Sequence, residues 1–438
     1  MERILQENKS VLFALYPEWG GFMPMMALAK AFSRRGWDVL FVLPPEGDEK
    51  LSLHSQQVEH YKKYIEEQGF QYKLLRPFPK RFGGMLTQTR RETEILANIL
   101  EDTIKIIKEC NVGLVLIDSI ISFVAIAAIE SGVPYVGVGT AFAGFINSKI
   151  PPSDSSFIPA RSSWSSLIVL LDWMLLAFVA RLFITFRPKY FLRYYFGIGA
   201  FVRSRARATG LTVGFSDYGP MFKSPLHYLM PKRLDFEPRP GAEYLGCVVD
   251  LSRADEDFKM DRLSGTKPLI YCSLGTRSWE YPASKRFFRV ALKTFQQRQD
   301  YEFVLNIGNT CEVEDLGEIP DNVYACKWVP QMAVLRKSSM MITNGGMNTI
   351  KECICLGVPM IVLPARNDQP GNAARVVYHG LGVRGDLRWI EHRELSRLIN
   401  QISSDKSYIK NIEQMQKEFM RLDKFETGID LLESYIAA

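Results

Sequence analysis

The sequence has few cysteines and no pattern that pairs them. There are seven, an odd number. None forms a C-x-x-C motif, and most lie within apolar stretches. Cysteines placed in this way are typical of buried, reduced thiols rather than of disulfides or a zinc site. We therefore expect a cytoplasmic protein without a structural metal.

Concentrated charge and a leading apolar segment are also missing. The net charge is +6 over 438 residues, and outside one region the basic residues are spread along the chain, so a nucleic-acid-binding face is not predicted. Residues Met1 to Lys9 are polar and charged, which does not fit a signal peptide or an N-terminal anchor. The length predicts two domains.

Short apolar runs and helical patterns alternate along the chain. Val11 to Leu15 is an apolar run, followed by a glycine turn and an amphipathic segment from Met23 to Arg35, and the unit repeats as far as Leu226 to Met230. After Gly246 the alternation starts again. Such runs are typical of buried parallel strands, so the predicted fold class is α/β. The predicted units are a domain over 1–235, a second over 246–405, and C-terminal helices over 406–438 that pack back toward the first.

One long apolar segment, Ser163 to Phe186, interrupts the alternation. Asp172 and Arg181 within it would each cost about 2.5–3.5 kcal/mol at the centre of a bilayer, so a membrane span is unfavourable. Basic and aromatic residues follow as far as Arg207. This composition predicts a peripheral membrane contact over 165–207. A cover over an apolar pocket and a core helix between the domains are the alternatives.

Two glycine turns in the second half of the chain each follow a predicted strand. The second opens a helix, and backbone N–H groups at a helix start, with glycine allowing close approach, form an anion site that suits a diphosphate. The residues predicted to form this site are Ser273, Gly275, Thr276, Gly346, Asn348 and Thr349.

Other side chains in the same half suit the remaining parts of a sugar nucleotide. Glu352, further along that helix, offers a carboxylate to ribose hydroxyls. Asp368 and Gln369 follow a strand and offer both acceptors and donors to a sugar. Trp328, at the start of a loop, suits stacking on a base. Together these residues predict a sugar-nucleotide site at the carboxyl ends of the strands.

These residues belong to one longer block. It comprises Trp328-Val-Pro-Gln331, Thr343-Asn-Gly-Gly-Met-Asn-Thr349, Glu352, Gly357-Val-Pro359 and Asp368-Gln-Pro-Gly-Asn372. The block resembles the donor signature of the family-one, UDP-glycosyltransferase-like enzymes of GT-B fold, in their bacterial form. The resemblance implies two Rossmann-like domains that face each other across a cleft, and inverting hexosyl transfer from a UDP-sugar without a metal or another cofactor. With the apolar segment, it predicts a lipophilic acceptor hydroxyl near the cytoplasmic membrane face.

The resemblance also implies a role for each residue of the block. Trp328 would stack on the uracil, Gln331 would lie near the base and ribose, and Glu352 would hold the ribose. The glycine turns with Asn348 and Thr349 would meet the diphosphate, and Asp368 and Gln369 would bind the transferred sugar.

Two positions depart from the family pattern. The family usually has a histidine before the two glycines of the donor turn, where this chain has Asn344, a neutral donor that cannot become cationic. The family's general base is a histidine in the first strand-to-helix turn, where this chain has Gly21. The aspartate that orients this histidine has a counterpart in Asp118, at the end of a strand.

The glycine at position 21 leaves three explanations open. Asp118 or Glu18 takes the acceptor proton, or the acceptor is acidic enough to need little help. Otherwise the chain is a catalytically weak or silent relative that binds a nucleotide sugar or lipid, or supports another enzyme. Epimerase-like chemistry is a weaker alternative. His54 and His60 are interpreted as surface residues.

Overall fold

The computed structural model describes residues 9–15, 19–44, 52–76, 85–142, 144–187, 198–216, 219–223, 226–251 and 263–437. Two parallel sheets form its centre, one from each half of the chain. Apolar side chains are buried on both faces of each sheet, which explains why the strands read as continuous apolar runs. The α/β prediction is confirmed.

Within its described residues, the first half contributes nine strands. They are β1 (Ser10–Ala14), β2 (Asp38–Leu43), β3 (Gln71–Leu74), β4 (Leu114–Asp118), β5 (Tyr135–Gly139), β6 (Val213–Ser216), β7 (Gly219–Phe222), β8 (Leu226–Tyr228) and β9 (Ala242–Tyr244). Seven of them form a sheet in the order β3-β2-β1-β4-β5-β8-β9, and β6 and β7 form a separate antiparallel pair. The helices of this half are α1 (Trp19–Arg34), α2 (Ser52–Glu67), α3 (Met85–Glu109), α4 (Ala125–Glu130), α5 (Ser163–Phe186) and α6 (Ile198–Thr209).

The second half forms a six-stranded parallel sheet. Its strands are β10 (Leu269–Ser273), β11 (Glu302–Asn306), β12 (Val323–Cys326), β13 (Ser338–Thr343), β14 (Met360–Val362) and β15 (Gly382–Arg384), in the order β12-β11-β10-β13-β14-β15. Its helices are α7 (Ser284–Gln296), α8 (Gln331–Leu335), α9 (Met347–Leu356), α10 (Gln369–Tyr378) and α11 (His392–Ser404). Helices α12 (Ser407–Phe419) and α13 (Leu422–Ala437) follow.

The edge of the first sheet differs from the sequence interpretation. The sequence predicts Leu226 to Met230 as the last strand of this sheet. The structure adds β9, which pairs in parallel with β8. A strand of three residues, none of them fully buried, carries too short a pattern to be detected from sequence.

Helix α5 buries little of its surface. Its buried residues are Ser165, Val169 and Trp173, and the Trp173 Nε1 donates a hydrogen bond to the Ile150 carbonyl at 2.9 Å. Large apolar side chains elsewhere on the helix face solvent, such as Phe178, which is 59% exposed. This exposure contradicts the core-helix alternative.

A buried ion cluster joins the chain between the two sheets to helix α10. The Asp235 carboxylate accepts hydrogen bonds from Arg375 at 2.6 and 3.0 Å and from Arg239 at 2.9 Å. Burial by itself would raise the pKa of Asp235, but the charges of the two arginines outweigh it and hold this pKa below its usual value. Removing one member would leave a buried charge without compensation, so the cluster couples the two halves.

The two C-terminal helices pack on different halves. Helix α12 packs on α9, where the Gln416 Nε2 donates to the Cys355 carbonyl at 2.7 Å. Helix α13 lies against the first half, because Arg35 pairs with Asp430 at 2.6 Å and with Glu433 at 3.0 Å. The division of the chain into three units stays a prediction.

Candidate functional site

The carboxyl ends of the strands in the second sheet lie side by side. In the sheet register, Ser273 at the end of β10 is paired with Asn306 on β11 and with Thr343 on β13. Because parallel strands present their carboxyl ends at the same edge, the turns that follow β10, β13 and β14 converge there. The edge thus brings together the residues predicted to bind a sugar nucleotide.

Both glycine turns need glycine for their backbone. Gly275 has φ +78° and Gly345 has φ +87°, in the left-handed region that other residues rarely adopt. A Cβ at Gly345 would also lie 2.7 Å from the Val362 side chain. The last residue of each strand also hydrogen-bonds to the turn that follows it. Ser273 Oγ accepts from the Gly275 N–H, and Thr343 Oγ1 accepts from the Gly345 N–H, each at 3.2 Å.

Helix α9 starts at the second turn and contacts the first half of the chain. Gly346 is its N-cap residue, so the backbone N–H groups of its first turn have no acceptor within the helix. The Asn348 Nδ2 donates to the Gly20 carbonyl in α1 at 2.8 Å. Pro24, four residues after Gly20, has no N–H and cannot satisfy that carbonyl within α1. The contact therefore joins the predicted diphosphate site to the first turn of the first domain.

A partly buried hydrogen-bond network lies where the ribose is predicted to bind. The Gln331 Nε2 donates to the Glu352 carboxylate at 2.5 Å and to Thr349 Oγ1 at 3.3 Å. The Tyr271 hydroxyl donates to Gln331 Oε1 at 3.5 Å and accepts from Asn306 Nδ2 at 3.3 Å. Burial raises the pKa of Tyr271 above its usual value, so its hydroxyl stays a neutral donor. The network fixes Gln331 and Glu352 against each other.

Two of the predicted donor residues face solvent. Trp328, in the loop after β12, is 70% exposed, which leaves an indole face accessible for stacking. Thr276, after Gly275, is exposed as well. Both positions are compatible with direct contact to a ligand.

A cluster of polar side chains around Tyr281 lies where the transferred sugar is predicted to bind. The Tyr281 hydroxyl accepts hydrogen bonds from Asn344 Nδ2 at 3.3 Å and from Gln369 Nε2 at 2.9 Å. Asp368, just before α10, accepts from Asn372 Nδ2 at 2.8 Å. The Asn344 amide, at the position where the resemblance implies a histidine, thus faces a neighbouring tyrosine.

Ion pairs lie beside Tyr281. Arg277 pairs with Glu280 at 2.6 Å, and Arg366 pairs with the same carboxylate. The Arg366 guanidinium lies 5.2 Å from the centre of the Tyr281 ring. With the Asp368 carboxylate, the cluster contains two cations and two anions, so its formal charges balance.

Among the described residues, the first half contributes fewer polar side chains to the candidate site than the second half does. Asp118 is buried at the end of β4, where its Oδ1 accepts from the Ile120 N–H at 3.0 Å and caps a short 3-10 helix. Gly21 lies in the first turn of α1, and Glu18 and the His54 side chain lie outside the described residues. His60 is exposed on α2. The catalytic assignments to Asp118 and Glu18 stay predictions.

Sequence reasoning missed Tyr271, Asn306, Tyr281, Arg277 and Arg366. Asn306 ends a strand at the same edge, so its position carried a signal that could have been used. Tyr281 lies eight residues after β10 and has no motif around it. Its role depends on side chains that meet it only in the folded chain.

A protein-family model described as "UDP-glucoronosyl and UDP-glucosyl transferase" matches residues 57–424. The chain belongs to this family. The NDP-glycosyltransferase YjiC of Bacillus subtilis (strain 168) is 30% identical over 193 residues, which cover 44% of this chain and 48% of that protein. The oleandomycin glycosyltransferase of Streptomyces antibioticus is 30% identical over 214 residues, covering 48% and 49%. The chain thus matches about half the length of these relatives.

Solved structures match the UDP-glycosyltransferase family member along nearly its whole length. The glycotransferase of kitacinnamycin has a TM-score of 0.71 at 20% identity and covers 98% of this chain and 99% of that chain. The glycosyltransferase VinC in complex with dTDP has a TM-score of 0.63 at 16% identity, covering 98% and 99%. At these identities the similarity establishes the fold, which is GT-B as the sequence predicted.

Proposed function

We propose that this chain transfers a hexose from a UDP-sugar to a hydroxyl of a lipophilic acceptor, with inversion at the anomeric carbon. The acceptor oxygen bonds to that carbon while its bond to the diphosphate breaks, UDP leaves with the electron pair, and the acceptor proton passes to Asp118 or Glu18. The observation that carries the proposal is the single sheet edge that holds the Gln331 network, both glycine turns and Gln369. Family membership supports a nucleotide-sugar donor.

Helix α5 supports a lipophilic acceptor and a peripheral site at the cytoplasmic membrane face. An open cavity of about 680 Å³ lies beside it. Its apolar lining includes Ile168, Leu171 and Leu175 of the helix, and its polar lining includes Asp172 and Arg384. Apolar side chains of α5 are exposed beyond this cavity as well. Helix α6 begins twelve residues after α5 ends, and its exposed Arg207 would add an attraction to anionic lipid of about 1 kcal/mol near the surface.

A catalytically weak or silent relative is the second candidate. It is favoured by the absence of a side chain at Gly21 and by the local capping role of Asp118. Binding of the donor would be retained in such a protein while transfer would be slow or absent. Binding and transfer therefore have to be measured separately.

The test of the proposal compares UDP binding and sugar transfer in matched variants. Calorimetry should detect UDP binding by the wild type, and Glu352→Ala should weaken it about ten- to a hundredfold, since a hydrogen bond to a charged group contributes about 1.5–3 kcal/mol. Glu318→Ala removes an exposed glutamate of the same half and should change nothing. Absence of UDP binding by the wild type refutes the transferase and also a silent relative that binds the donor. If the wild type binds UDP but transfers no sugar from UDP-glucose to any of a panel of hydrophobic alcohols, the result favours the silent relative over the transferase.

A further inference from the structure

Tyr281 occupies the junction of two parts of the candidate donor site. It follows the short 3-10 helix Ser278–Glu280 and is only 8% exposed. Its hydroxyl contacts Asn344, just before the turn that is proposed to hold the diphosphate, and Gln369, which is proposed to hold the sugar. One hydroxyl thus lies where the two parts of the donor meet.

Backbone contacts fix the orientation of the amide of Gln369. Its Oε1 accepts from the Ala365 N–H at 2.9 Å and from the Arg366 N–H at 3.2 Å. The opposite orientation of the amide would place its NH₂ group against two donors. The Nε2 therefore faces Tyr281 and must donate to its hydroxyl oxygen.

The Asn344 amide is oriented in the same way. Its Oδ1 accepts from the Gly346 N–H at 3.4 Å, so its Nδ2 also points to Tyr281. A tyrosine hydroxyl has one proton, and it can serve as a donor and an acceptor at once. Because both amides donate to the oxygen, the proton has to be donated elsewhere. In the part of the chain that the structure describes, the Tyr281 hydroxyl donates to no protein acceptor.

We propose that the Tyr281 hydroxyl donates a hydrogen bond to the β-phosphate of the donor, next to the transferred sugar. The inference rests on the proposed function. Hydrogen bonds accepted by the oxygen polarise the O–H group and strengthen its own donation. An anionic oxygen is the best match for such a donor, and its charge grows as the bond to the anomeric carbon breaks. Asn344 then acts through Tyr281, as a positioning residue.

The test measures the preference for UDP over UMP in single variants. Tyr281→Phe should lower this preference about ten- to a hundredfold, because only UDP carries the β-phosphate and a charge-assisted hydrogen bond is lost. The affinity for UMP should not change. Tyr271→Phe, at the ribose network, is the matched control and should affect both nucleotides alike. The ratio of the UDP affinity to the UMP affinity, measured within one variant, does not depend on the fraction of protein that is folded.

The outcomes separate this inference from the function on which it rests. A wild type that binds no UDP refutes both. A wild type that prefers UDP, with an unchanged preference in Tyr281→Phe, or with equal losses of UDP and UMP affinity, refutes the role of Tyr281 alone. If the phenylalanine variant does not fold, 3-fluorotyrosine at position 281 keeps the shape and makes the hydroxyl a stronger donor. It should then raise the affinity for UDP and leave that for UMP unchanged, and the opposite result overturns the inference.

Discussion

The carboxyl edges of the two sheets are built differently. At the edge of the second sheet, side chains from several turns hydrogen-bond to each other, as in the pairs Gln331–Glu352 and Gln369–Tyr281. At the edge of the first sheet, the first turn of α1 contains Gly20 and Gly21, which have no side chain to offer. The Asp118 carboxylate caps the short 3-10 helix that follows β4. The polar groups of the second edge are oriented before a ligand arrives, which is the arrangement that binding and electrostatic stabilisation require.

Because of this difference, donor binding depends on the second edge, and proton transfer depends on the first. The second edge has oriented amides and glycine turns that suit a diphosphate. The first edge lacks an imidazole at position 21, and a general base typically contributes about a hundred- to ten-thousandfold in rate. The two halves of the cleft can therefore be tested separately.

The largest effect is expected from restoring a base at the first edge. Gly21→His should raise transfer about a hundred- to ten-thousandfold, since the sequence resemblance implies a general base at this position and Asp118 as the residue that orients it. Steady-state transfer from UDP-glucose measures the gain. Gly20→His, where a side chain meets open space, is the matched control and should give none. An unchanged rate in Gly21→His would show that another group takes the proton or that the acceptor needs no base.

A smaller effect is expected for membrane binding by α5. The wild type should float with anionic lipid vesicles, and Leu175→Asp with Phe178→Asp should lower the bound fraction about tenfold or more, because two exposed apolar side chains lose their contact with lipid. The control, Ile409→Asp with Met420→Asp, changes apolar residues that are 46% and 44% exposed on other parts of the surface. Equal losses in both variants would contradict a role specific to α5.

The smallest effect concerns the contact between the two edges. Pro24→Ala supplies an N–H that competes with Asn348 for the Gly20 carbonyl, so Pro24→Ala and Asn348→Ala should not be additive. The coupling should be about 0.5–1.5 kcal/mol in the free energy of unfolding, the usual contribution of one hydrogen bond. Urea unfolding of the wild type, both single variants and the double variant measures it. Strict additivity would mean that this contact does not hold the two halves together.

Much of the donor edge could be predicted from sequence because its residues sit at the ends of apolar runs. Ser273 and Thr343 are the last residues of their strands, Asp368 lies six residues after β14, and the glycines between strand and helix mark the turns. Tyr281 and Arg366 could not be placed in this way, since what defines them is a partner far along the chain. Strand β9 was missed because three residues are too few to show a pattern.

The sequence by itself determined the fold class, the family and the position of the donor turns, because strand periodicity, glycine turns and residue type at strand ends are local properties. The tertiary structure decided that α5 is exposed, that Asn344 and Gln369 share the Tyr281 hydroxyl, and that Asp235 meets Arg375 across 140 positions. Burial and hydrogen-bond partnership depend on which elements pack together, and that is a property of the folded chain alone.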